Sequence, residues 1–262
     1  MRTQQGTPIR RDAYQPLAYQ VETVDLDFVL DPKATGVSNR MRCVRNPQAA
    51  AGPVVLYGEA LACLSVRIDG AAPADGQVRT VEGGLEIDVD ADVVVLEIVT
   101  RIDPSANLTL SGLYQSRGGY YTQCEAEGFR RITYFPDRPD VMARYTVRLE
   151  ADAATCPVLL SNGNLLETGT LPGGRHFARW EDPFPKPSYL FALVAADLKA
   201  LERKVCTMSG REVLLQVWVE ARDLDRVGHA MDSLIHSLRW DEEVFGLELD
   251  LDRFRIVAVS DF

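Results

Sequence analysis

Val24-Asp25-Leu26-Asp27-Phe28-Val29-Leu30 puts Val24, Leu26, Phe28 and Leu30 at every second position, with Asp25, Asp27 and Val29 between them. On an extended chain that alternation buries one face and leaves the other in water, the signature of a half-buried strand. The texture recurs at Leu64-Ser65-Val66-Arg67-Ile68, at Leu85, Ile87 and Val89, from Val93 to Val99, at Tyr145, Val147 and Leu149, from Val158 to Leu160, from Phe177 to Trp180 and from Tyr189 to Val194. Turn residues separate these runs: Asp69-Gly70, Glu82-Gly83-Gly84, Asn162-Gly163 and Pro172-Gly173-Gly174. Many short strands with glycine-rich turns and no helical stripe between them predict a mainly β chain whose first domain, residues 1–197, is a β-sandwich or saddle-like sheet assembly. The spacing is uneven and shows no repeat of fixed period.

Beyond about Asp197 the pattern changes. Val213, Leu215, Val217 and Val219 share one face of a strand from Arg211 to Glu220. Val227, Met231, Leu234, Ile235 and Leu238 then form one apolar stripe on a helix expected over 223–245, with Asp223 or Asp225 as its N-cap and Gly246 as its terminator. Phe254, Ile256 and Ala258 alternate as a final strand. A strand–helix–strand piece of this size is small for a core of its own. Residues 198–262 are therefore expected to be the incomplete, α+β opening of a second domain, with the helix stripe and last strand lacking a partner layer.

The chain has 262 residues, with 28 Lys and Arg against 38 Asp and Glu, so its formal charge is 28 − 38 = −10. That balance repels a nucleic-acid backbone. No apolar run approaches the ~18–20 residues of a membrane-spanning helix. The polar stretch from Met1 to Asp12 is not expected to act as a secretory signal. The five cysteines, Cys43, Cys63, Cys124, Cys156 and Cys206, are odd in number and contain no C-x-x-C pair, which argues against a zinc ribbon or a disulfide framework. Unpaired thiols fit a reducing compartment, so the expected address is cytoplasmic. The sequon Asn107-Leu108-Thr109 carries no weight without secretion.

Few residues signal chemistry. His229 and His236 lie seven apart, not at the i, i+4 spacing of an H-E-x-x-H helix, and His176 stands alone; all three read as structural. There is no G-x-S-x-G elbow, phosphate loop or dinucleotide fingerprint. Cys124 as a nucleophile would need a histidine and an orienting partner. The carboxylates of Asp88, Asp90 and Asp92 are placed on one strand face and, like Asp250 and Asp252, read as solvated rather than as a calcium loop. One stretch differs: residues 120–140, YYTQCEAEGFRRITYFPDRPD, mix amides, carboxylates, guanidiniums and aromatics without clean periodicity. Gln123 and Glu125, two apart, would project from one face of an extended backbone and could hold an ammonium. Alternatively, Glu125 and Glu127 pair with Arg130, Arg131 or Arg138 in a structural network, and composition alone favours this second reading.

The segments GLYQS (112–116), TQCEAEGFR (122–130), PDRPDV (136–141), LSNGN (160–164), WEDPFPKP (180–187), YLFALVA (189–195), SGREV (209–213), RWDEE (239–243), FGL (245–247) and IVAV (256–259) occur in this order. From about Tyr19 onward the chain thereby resembles the aminopeptidase N family of zinc metallopeptidases, in its bacterial PepN form. The resemblance implies an N-terminal β-domain ahead of a thermolysin-like catalytic domain. It matches Gln123 and Glu125 to a Gln-x-Glu-Ala element that holds the substrate's free α-amino group, with Asp137 and Arg138 keeping the loop in shape. It also implies a zinc cofactor for the full-length enzyme, whose ligands, together with a Gly-Ala-Met-Glu-Asn segment, are expected past Phe262 and not in this chain. No catalytic or metal residue is therefore assigned here, and the 262 residues alone are expected to be inactive. The expected partners are a peptide, through its N-terminus, and the remainder of the catalytic domain, with neither nucleic acid nor membrane. The alternative is a non-catalytic β-sandwich binding or scaffold protein derived from such an enzyme.

Overall fold

A computed structural model of the chain describes residues 10–259; residues 1–9 of the polar N-terminal stretch and Phe262 lie outside it. In chain order the first strands are β1 (Tyr19–Val29), β2 (Thr35–Arg45), β3 (Val54–Tyr57), β4 (Ala62–Ile68), β5 (Val78–Val81), β6 (Gly84–Ile87) and β7 (Val93–Ile102). Then come β8 (Gly112–Ser116), β9 (Gly119–Gln123), β10 (Ala143–Asp152), β11 (Val158–Ser161), β12 (Asn164–Leu171), β13 (Arg175–Lys186) and β14 (Leu193–Ala196). The last elements are β15 (Lys199–Cys206), β16 (Glu212–Val219), helix α1 (Gly228–Phe245) and β17 (Arg253–Ala258).

Seven strands make one broad sheet in the order β12-β13-β10-β1-β2-β7-β4. Val24, Leu26 and Phe28 face inward from β1, as their alternation requires, beside Val37 and Met41 of β2, Leu96 and Ile98 of β7 and Val147 and Leu149 of β10. Against this face pack the small sheets β11-β14-β9-β8 and β3-β6-β5, which contribute Leu113, Leu159, Leu193, Leu56 and Ile87 to the same core. The outer face carries Asp25 with Arg40 at 3.6 Å and Asp27 with Arg148 at 3.1 Å. Such solvated pairs contribute little stability; their role is to keep that face in water. The mainly β, saddle-like assembly is thus the observed architecture.

Two local expectations are corrected. Residues 189–194 are not one strand: behind Pro187, Ser188–Leu190 forms a 3-10 turn, and β14 begins only at Leu193. The acidic run 88–92 is not a strand face either. It falls in the connection between β6 and β7, where Asp88 pairs with Arg79 and Asp92 lies 2.9 Å from Arg45.

The last sheet, β15-β16-β17, has a core of its own. Val213, Leu215, Val217 and Val219 of β16 meet Met231 and Leu234 of α1 and Val227 just before it. The helix stripe therefore does have a partner layer, contrary to expectation: β15, which the pattern did not mark, widens the sheet beneath it. What stays open is the end of α1 and the sheet edge, where Trp240, Val244, Phe245, Leu247 and Phe254 are exposed. The capping expectation also fails. Asp223 and Asp225 lie in a 3-10 stretch, Ala221–Arg226, Asp223 pairs with Arg226 at 3.0 Å, and α1 starts behind Val227 with no side-chain cap. Gly246 does end the helix, at φ +66°, a conformation glycine adopts without penalty. On its other face β16 offers Trp218 to the main core, and Arg255 of β17 stacks over Trp180 at 4.2 Å.

Candidate amine-anchor site

Strand β9 ends at Gln123, held by its neighbour Thr122, whose hydroxyl accepts the Leu193 amide at 2.8 Å. Cys124 then turns inward and is buried; burial, reinforced by the negative charge of Asp137, holds its thiol far above the usual range. An inert buried thiol is what this gives, not a nucleophile. Residues 125–128 form a turn with a cis Glu125–Ala126 peptide, closed by the Gly128 amide donating to the Cys124 carbonyl at 2.8 Å. Phe129 plants the far side of the turn in an aromatic cluster, 5.1 Å from Phe135 and 5.2 Å from Phe191, ring centre to ring centre. The loop is pinned at both ends by buried side chains and lifts Glu125, Ala126 and Glu127 into solvent.

The premise that Gln123 and Glu125 share one face of a strand is not what the structure shows, because the strand stops between them. The turn brings them together by another route. The Gln123 amide nitrogen donates to the Glu125 carbonyl at 3.3 Å. That bond uses the nitrogen end and leaves the Gln123 carbonyl oxygen with no donor among the described residues.

The neighbouring arginines are engaged elsewhere. Arg130 lies 3.3 Å from Glu127 and 3.1 Å from Asp137, and stacks over Tyr57 at 4.6 Å. Arg131 pairs with Glu59, and Arg138 with Asp140 at 2.6 Å while donating to the Gln15 carbonyl at 3.1 Å. The network reading thus holds for Glu127. Among the described residues, the Glu125 carboxylate has neither ion pair nor hydrogen bond. Asp137 binds the Arg130 amide and side chain, and Arg138 ties Asp140 to the Gln15 carbonyl.

Sequence reasoning missed Ser188, whose hydroxyl donates to Asp137, and the buried Lys186, 3.1 Å from Asp182 and 3.9 Å from the Tyr145 ring centre. The Ser188–Asp137 pair leaves no local signal, since the two are 51 positions apart, whereas Asp182 and Lys186 are an i,i+4 pair. The three histidines stay apart: His176 contacts the Cys156 carbonyl, and His229 and His236 lie on α1. Among the described residues no three His, Cys, Asp or Glu side chains converge as metal ligands, so the residues present do not fit a zinc ion. The described cysteines are all free, and no described helix is long and apolar enough to cross a membrane.

Residues 74–190, which contain the turn, match the Peptidase M1 N-terminal domain. The whole chain is 52% identical to aminopeptidase N of Caulobacter vibrioides, and 99% of it aligns at 47% identity with aminopeptidase N of Escherichia coli. The chain belongs to the aminopeptidase N family. It spans about 30% of the length of each of these two relatives. Among solved structures it superposes on Legionella pneumophila aminopeptidase A, determined in complex with aspartic acid, with a TM-score of 0.88 at 32% identity over 94% of this chain and 29% of that one. The fold described above is thus that of the N-terminal β region of an M1 aminopeptidase.

Proposed function

We propose that this chain supplies the amine anchor of a zinc-dependent aminopeptidase, which removes residues from the N-terminus of peptides. The observation that carries the reading is the Glu125 carboxylate and the Gln123 carbonyl oxygen, both without a partner among the described residues, while the neighbouring Arg130, Arg131 and Arg138 are engaged by other acids. An ammonium placed there meets a full charge and a directional acceptor, a contact worth about 1.5–3 kcal/mol for a charged hydrogen bond. An internal peptide nitrogen carries no such charge, so the pair would select for a free N-terminus. The separate core beneath α1 supports a domain boundary near residue 197, with 198–262 opening the catalytic domain. Zinc belongs to this proposal through the family. The free cysteines support a cytoplasmic address.

The test is hydrolysis of alanyl-p-nitroanilide by the longer protein that contains this chain, with and without chelator, beside the 262-residue chain. A chelator-sensitive longer protein and a silent chain are expected. Equal silence from both would instead favour a non-catalytic binding protein.

A further inference from the structure

Asp137 is buried, at 2% exposure, and both its carboxylate oxygens are occupied. One oxygen accepts the Arg130 backbone amide at 3.0 Å and the Arg130 Nε at 3.1 Å; the other accepts the Ser188 hydroxyl. Arg130 also donates from Nη2 to the Asp137 carbonyl at 2.8 Å and reaches Glu127 inside the turn. Three segments meet here: Arg130 just after the anchor turn, the 136–140 loop, and the distant connection between β13 and β14. Beyond them, the Arg130 carbonyl accepts the Glu59 amide at 2.9 Å, which ties in the connection between β3 and β4.

We propose that Ser188, Asp137 and Arg130 act as positioning residues for the amine anchor, transmitting the fixed β13–β14 connection to the turn that presents Glu125. This inference rests on the anchor reading above. Cys124 and Phe129 already secure the turn in the core, so the buried carboxylate is not needed merely to keep the segment folded. What Asp137 adds is orientation: it fixes the peptide plane entering Arg130, five residues after Glu125, and holds the Arg130 side chain against Glu127. It thereby keeps that guanidinium away from the Glu125 carboxylate. Released from Asp137, Arg130 would compete with the substrate's ammonium for Glu125. Displacements of about 1 Å at such a contact cost on the order of 100-fold in rate.

The experiment uses the full-length aminopeptidase and two competitive inhibitors that differ only in the α-amine, alanine hydroxamate and propanoyl hydroxamate. The readout is the ratio of their inhibition constants, which measures amine recognition independently of how much enzyme is folded. Ser188→Ala and Arg130→Lys are expected to lower this ratio about tenfold while the inhibition constant for propanoyl hydroxamate stays within about twofold. In a Glu125→Gln background the same substitutions should change the ratio no further, since they act through Glu125. A lower kcat with an unchanged ratio would show a purely structural staple and overturn the proposal, as would additive effects with Glu125→Gln. A Glu125→Gln enzyme that keeps the wild-type ratio would instead refute the anchor reading itself.

Discussion

At Gly128 a Cβ would stand 2.3 Å from the Gln123 carbonyl oxygen and 2.9 Å from the Gly112 amide nitrogen, backbone atoms that cannot swing aside. Gly128→Ala is therefore expected to push the turn off β9, with a stability loss of about 2 kcal/mol or more in urea unfolding. A loss below 0.5 kcal/mol would mean that the turn yields easily. Lys186 gives a second test. Burial pulls its ammonium down to about 8, against the upward pull of Asp182. Between about pH 8 and 10.5 the unfolded chain then binds the proton that the folded chain has lost, so this residue makes stability rise with pH across that window, by up to about 3 kcal/mol. Lys186→Met should flatten that part of the profile relative to wild type; parallel profiles would contradict the assignment. Gln123 and Glu125 were legible only through their motif. Their alternation suggested a shared strand face, whereas a turn joins them, and a turn's path is set by distant clamps such as Phe191 that no local pattern records.

At the scale of elements, α1 is held by a few fully inserted side chains. Met231 is completely buried between α1 and β16, and Met231→Ala is expected to cost about 2–5 kcal/mol and to melt the β15-β16-β17 layer before the main core. Hydrogen exchange resolved by segment would show this; uniform destabilisation across both cores would count against separate units. The strands with strict alternation, such as β1, β7 and β10, were readable because one face is buried and the other wet. Strand β15 was not, since Lys199, Glu202, Arg203 and Lys204 leave it mostly exposed and only Leu201 and Val205 touch the helix core. The helix stripe is legible in the sequence, but its start is not. Asp223 is drawn away by Arg222 and Arg226, an ion-pair preference that outcompetes capping.

Across the whole molecule, the two cores meet through Trp218, Trp180 and Arg255, whose guanidinium also donates to the Gly163 carbonyl at 2.6 Å. Gly163 is required by its own packing against β13, because a Cβ there would strike the backbone of Glu181 and Asp182. Arg255→Ala is expected to loosen the junction, so that thermal unfolding of the 262-residue chain splits into two transitions while wild type shows one. A single sharp transition in the variant would place the coupling elsewhere. The central claim is that Glu125 holds the substrate's α-ammonium. Its most direct test is kcat/KM of the full-length enzyme for alanyl-p-nitroanilide, with Glu125→Gln beside wild type and folding checked by circular dichroism. A fall of about 10- to 100-fold is expected in a folded enzyme. An unchanged kcat/KM would contradict it.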